Sequence, residues 1–155
     1  MNVWIIYESR LGNTAQLAMA IAQAVARTDR VQVMAASKAG VPRGVELLLI
    51  GIPSHRHRAP DCVLEWVRRL PAGGLAGVHM SVFDIRYQPL RWFESSIAHK
   101  IGRKLLRLGA TYASMPESFF LNGHEGPLPD EELQRACSWA QNMIGGFERS
   151  QRQRA

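Results

Sequence analysis

Apolar positions along this chain fall into two rhythms that take turns. Short apolar runs at 3–7, 31–36, 45–50 and 77–83 read as strands, as does 111–121, with a break at Pro116. The runs at 3–7 and 45–50 are continuous, as expected of strands buried on both faces. Between the runs the spacing changes to three and four. Leu17, Ile21 and Val25 form one stripe in a helix over 15–27. Val63, Trp66, Val67 and Leu70 form another, in a helix that starts at Pro60 or Asp61. Ile97, Ile101, Leu105 and Leu108 form a third, with Ser95 or Ser96 as cap and Gly109 as stop. The last helix is expected over 130–147, with acidic residues in its first turn. Residues 150–155 read as a frayed tail.

Strand and helix therefore alternate, five strands with four long helices and no internal repeat. That order implies one α/β domain over 1–149, a doubly wound parallel sheet with helices on both faces. In such sheets ligands bind beyond the carboxyl ends of the strands, at the switch point between the first and third. The loops 8–14, 52–59 and 84–92 meet there.

The first of these loops carries the clearest chemistry. A strand ends at Tyr7, a turn of Glu8, Ser9, Arg10, Leu11, Gly12 and Asn13 follows, and a helix begins near Thr14. Free N–H groups in the turn and first helical turn converge, and the helix dipole favours an anion there. Ser9 and Thr14 add hydroxyl donors, and Gly12 allows close backbone approach. Neither the dinucleotide fingerprint nor the Walker A pattern is present.

Composition adds limits. The 155 residues carry 19 Lys and Arg against 13 Asp and Glu, a net charge of +6. Much of the excess lies on Lys100, Arg103, Lys104 and Arg107, the outer face of the third helix, and permits an acidic partner. Nucleic acid is not favoured, because no aromatic platform or known motif accompanies the charge. No apolar run approaches a membrane span, and the N-terminus lacks the pattern of a signal peptide. Cys62 and Cys137 have no metal or redox spacing and read as buried free thiols, which fits a reducing cytoplasm. His55 and His57 are too few for a metal site, with only Asp61 nearby, and no metal is expected. His79 reads as a hydrogen-bonded core residue. No nucleophile–base signature is legible, so no catalytic residue is assigned.

Four stretches then acquire a common meaning. Tyr7-Glu8-Ser9 with Gly12-Asn13-Thr14, Gly51-Ile52-Pro53-Ser54, and Val82-Phe83-Asp84-Ile85-Arg86 fall where flavodoxin-like proteins carry their three FMN-binding loops. The later runs 116–120 and 123–128 resemble a bacterial subgroup of short-chain, stand-alone flavodoxin-domain proteins. The resemblance covers nearly the whole chain. It implies a flavodoxin-like three-layer sandwich with sheet order 2-1-3-4-5 and noncovalent FMN. Ser9, Arg10, Leu11, Gly12, Asn13 and Thr14 would form the phosphate loop. Pro53, Ser54, His55 and Arg56 would line one side of the isoalloxazine. Asp84, Ile85, Arg86 and Tyr87 would line the other, with Tyr87 or Trp92 able to stack on the ring. The implied function is electron transfer to a redox partner protein, an acidic one suiting the basic charge. Alternatives are a flavin-dependent oxidoreductase of quinone or protoporphyrinogen type, and a binding module that keeps the fold without the cofactor. Two features depart from the family's pattern. The second loop has no glycine and no aromatic residue, and it is basic.

Overall fold

The computed structural model describes residues 1–26, 30–53, 61–87, 97–123 and 126–154. Their order is β1 (Asn2–Tyr7), α1 (Asn13–Val25), β2 (Arg30–Ala35), β3 (Leu47–Pro53), α2 (Asp61–Arg69), β4 (His79–Arg86), α3 (Ile97–Arg107), β5 (Thr111–Tyr112), β6 (Glu117–Phe120) and α4 (Asp130–Arg154). The strands form one parallel sheet in the order β2-β1-β3-β4-β5, with β6 also paired to β4. The expected fifth strand is thus two half-strands. β5 pairs with His79 and Met80, and β6 with the stretch from Phe83 to Arg86.

Burial on both faces explains the apolar runs. All of β3 except its last residue is buried. One face of the sheet packs Leu48, Ile50, Met80 and Val82 against α2, α3 and the segment 36–45. The other packs Ile5, Leu49, Phe83 and Ile85 against α1 and α4. Between β2 and β3 the chain makes no long helix, only a 3-10 turn at Ala36–Lys38. Gly40, Pro42 and Gly44 prevent more. Trp66, itself buried, pins this segment by donating its indole N–H to the Gly40 carbonyl at 2.9 Å.

Three elements run past the ends that the sequence predicts. β3 runs on through Gly51 to Pro53, and β4 through Asp84 to Arg86. Polar residues continue a strand here because a neighbouring strand pairs with them, which local pattern cannot reveal. α4 continues to Arg154, past Phe147, whose ring meets His79 edge-on at 4.6 Å. His79 Nδ1 also lies 3.1 Å from Thr111 Oγ1. Cys62 and Cys137 are free and only half-buried.

Gly51 and Phe83 are register partners on β3 and β4. The Phe83 ring occupies the place that a Cβ on Gly51 would take. That ring is also hemmed edge-to-face by Phe119 at 6.4 Å and Trp139 at 6.1 Å, so it has nowhere to retreat. Gly51→Ala should therefore lose about 1–3 kcal/mol of stability by overpacking. Adding Phe83→Leu should restore part of the loss. Urea denaturation measures both, and an unchanged midpoint for the single variant would contradict this account.

Candidate functional site

Register brings the ends of the three central strands to one level. Tyr7 pairs with Gly51, and Pro53 with Ile85. The three loops expected at the switch point leave from this edge. Ser54, His55 and Arg56 of the second loop and Trp92 of the third lie outside the described residues, as do His57, Arg58 and the expected caps Ser95 and Ser96.

The first loop is anchored by Glu8 N–H, which donates to the Gly51 carbonyl at 3.0 Å. Ser9 Oγ then accepts from Gly12 N–H at 3.1 Å, closing a tight turn. Gly12 adopts φ 88°, a left-handed conformation that a side chain rarely tolerates, and nothing lies within 4 Å of where its Cβ would stand. The next residue begins α1. No side chain caps this helix. A thirteen-residue helix thus starts with N–H groups that no side chain caps, at its positive dipole end. Thr14 is buried in the first turn, while Arg10 and Leu11 are exposed. At the loop's start, the Glu8 carboxylate, with burial, pushes the Cys62 thiol pKa up, so this cysteine is held as a thiol beside the site.

On β4, alternate residues face opposite layers. Phe83 and Ile85 join the core under α1 and α4. Asp84 and Arg86 therefore share the other face with Met80 and Val82, toward α3. Asp84 is 0% exposed. Its Oδ1 accepts from Ser118 Oγ of β6 at 2.5 Å, and its Oδ2 accepts from Ala98 N of α3 at 3.3 Å. Arg86 Nε lies 3.5 Å from the same Oδ2 but has no hydrogen-bond partner. Asp84 thus caps α3 from a neighbouring strand. Burial raises its pKa above the usual 3.8, against the opposing pull of Ser118, Arg86 and the Ala98 N–H. Asp84 and Ile85 were expected in a loop lining a ring, but both sit within the strand. Tyr87 follows them and is 37% exposed.

β6 is in turn held by α4. Arg135 donates to Glu117 Oε1 at 2.9 Å, to Glu132 Oε1 at 3.0 Å and to the Ser118 carbonyl. Its guanidinium lies 4.4 Å from the centre of the Phe119 ring. Glu132 Oε2 accepts from Phe120 N at 2.8 Å. Sequence analysis assigned no role to Glu117, Ser118, Glu132 or Arg135. Glu117 and Ser118 beside the apolar pair Phe119 and Phe120 were the available signal.

The residues present fit an FMN phosphate at the first loop: an uncapped helix end, a glycine with open space above it, and hydroxyls at Ser9 and Thr14. Among the described residues no cluster of three or more His, Cys, Asp or Glu could hold a metal.

No protein-family model and no curated protein matches the chain in sequence. Solved structures do match it. Oxidised flavodoxin 1 from Bacillus cereus has a TM-score of 0.79 at 17% identity, covering 94% of this chain and 98% of that one. The flavodoxin of Streptococcus pneumonia TIGR4 has 0.76 at 15%, covering 94% and 99%. Rubredoxin oxygen:oxidoreductase from Desulfovibrio gigas has 0.70 at 16%, covering 94% of this chain but 37% of that longer one. At such identities the likeness establishes the fold, which is that of the short-chain flavodoxins.

Asp84 yields a pH signature. Its folded pKa is raised, so the stability it contributes is fully present below 3.8 and is lost as pH rises through the folded value. The stability of the wild type relative to Asp84→Asn should fall as pH rises from about 4. Urea denaturation across pH reads this directly, and a difference independent of pH would refute it.

Proposed function

We propose that this protein binds FMN noncovalently and serves in electron transfer to a redox partner. The single observation that carries the reading is the uncapped N-terminus of α1, set at the sheet's switch point behind a left-handed Gly12. A helix end in that position is expected to take one phosphate.

In this reading Ser9, Gly12, Asn13 and Thr14 hold the phosphate through backbone and hydroxyl donors, and Arg10 adds a cation at the rim. Pro53 borders one side of the ring. Tyr87 offers an aromatic face on the other. Ser54, His55, Arg56 and Trp92 complete the proposed set. When bound, the flavin supplies one- and two-electron redox chemistry, while the protein supplies orientation and electrostatics. Arg86 contributes less positive potential there than its charge alone suggests, since Asp84 sits 3.5 Å from it. Two free thiols accord with a reducing cytoplasm, where we place the protein.

The reading is tested first by the visible spectrum of freshly purified protein and by the mass of any released cofactor. Ser9→Ala combined with Thr14→Val should then weaken FMN binding by about 2–4 kcal/mol, because each hydrogen bond to a charged group contributes about 1.5–3. Quenching of flavin fluorescence measures this. Equal affinity in the double variant would remove the phosphate from this loop.

A further inference from the structure

Charge is distributed unevenly between the two helical layers. The layer of 36–46, α2 and α3 holds eight Lys and Arg against three Asp and Glu. The remaining described residues hold seven of each. Among the described residues the net positive charge therefore lies on this one side of the sheet. α3 is the centre of it. Lys100, Arg103, Lys104 and Arg107 are all exposed, and the helix contains no acidic residue to neutralise them. Arg68 and Arg69 on α2, and Lys38 and Arg43 on the segment pinned by Trp66, are exposed as well.

The shape of this layer narrows its partner. Among the described residues of this layer the one aromatic, Trp66, is buried, so these residues offer bases no platform on which to stack. The apolar stripe of α3, Ile97, Ala98, Ile101 and Leu105, is already buried against the sheet and cannot enter a lipid interface. What remains exposed is a broad basic surface with single apolar residues, Val41 at 39% and Leu106 at 38%, set among the charges. That is the composition of one half of a charge-complementary protein interface. The first turn of α3 adjoins the end of β4, where Ala98 donates to Asp84, and Lys100 is the cation of α3 nearest that end of the helix.

We propose that the layer formed by 36–46, α2 and α3 is the docking face for an acidic redox protein, an inference that rests on the electron-transfer reading above. A partner seated along α3 contacts the edge at which β4 ends. Basic residues steer it there, so association is fast at low ionic strength and weak at high.

The experiment uses the full chain and an acidic [2Fe–2S] ferredoxin as probe, with binding followed calorimetrically. Lys100→Glu combined with Lys104→Glu should weaken binding at low ionic strength by about tenfold or more. Arg149→Glu with Arg152→Glu makes the same charge change on α4, on the opposite layer, and should alter binding by less than about twofold. Wild-type binding should also fall steeply toward an ionic strength of about 0.15 M. The proposal is overturned by equal weakening in both variants, by absence of ferredoxin binding, or by tighter binding to phosphatidylserine vesicles or to a DNA duplex. Binding is measured with and without added FMN, and FMN affinity is titrated separately. Loss of FMN binding in the wild type sinks the cofactor reading while the ferredoxin arm still decides the docking face. Unchanged FMN affinity in the Lys100/Lys104 variant shows that the docking face alone was altered.

Discussion

A buried carboxylate needs partners, and the upper end of this sheet is arranged around supplying them. Removing Asp84 from water disfavours its charged form by more than any one neighbour returns. Its oxygens are met from three directions: a hydroxyl from β6, a backbone N–H from α3 and a guanidinium from its own strand. Each donor must be held in turn. α4 fixes the β6 donor through Arg135 and Glu132, and β6 itself would otherwise be a four-residue edge strand. One acid thus couples both helical layers to the central sheet at the level where the three loops depart. Such a cluster favours a unique arrangement more than it adds stability.

The sequence made some of this legible and concealed the rest for definable reasons. The apolar runs of β1 and β3 and the stripes of α1 and α3 announce themselves because burial on a sheet demands a fixed period. The first loop was readable too, because glycine, hydroxyl and amide residues between strand and helix have few other uses. The end of β4 was not. Asp84 and Arg86 look like loop residues, and pairing with β3 on one side and β6 on the other makes this stretch strand. The expected caps of α3, Ser95 and Ser96, lie outside the described residues, and the acceptor seen for Ala98 N, Asp84, comes from thirteen positions before the helix begins. Long-range partners of this kind leave no local period. Likewise α4 outruns its apolar stripe because nothing in residues 148–154 breaks a helix, although polar composition suggests a tail.

The two helical layers of the sandwich differ in their chemistry. α1 contains no charged residue at all and packs beside α4, where Cys137 Sγ reaches the Ala20 carbonyl at 3.6 Å and Gln141 the Ala24 carbonyl at 3.3 Å. That side is joined helix to helix by small residues and neutral hydrogen bonds. On the opposite side α2 is joined to the segment before β3 by Trp66, and α3 exposes four cations.

The split between β5 and β6 has a practical meaning. The two half-strands share one edge of β4 but do different jobs, the first closing the sheet near His79 and the second delivering Ser118. The joint between them is tacked at either side by Ala113 N to the Met80 carbonyl at 2.8 Å and Ser81 Oγ to the Met115 carbonyl at 3.3 Å, and Met115 itself projects into solvent. Extra residues spliced at 114–115 leave both registers intact, since closing a longer surface loop grows only slowly more difficult with length. The joint is therefore a natural attachment point for a spectroscopic label. A reporter grafted there sits two residues from β6 and senses the polar bundle without intruding on its hydrogen bonds.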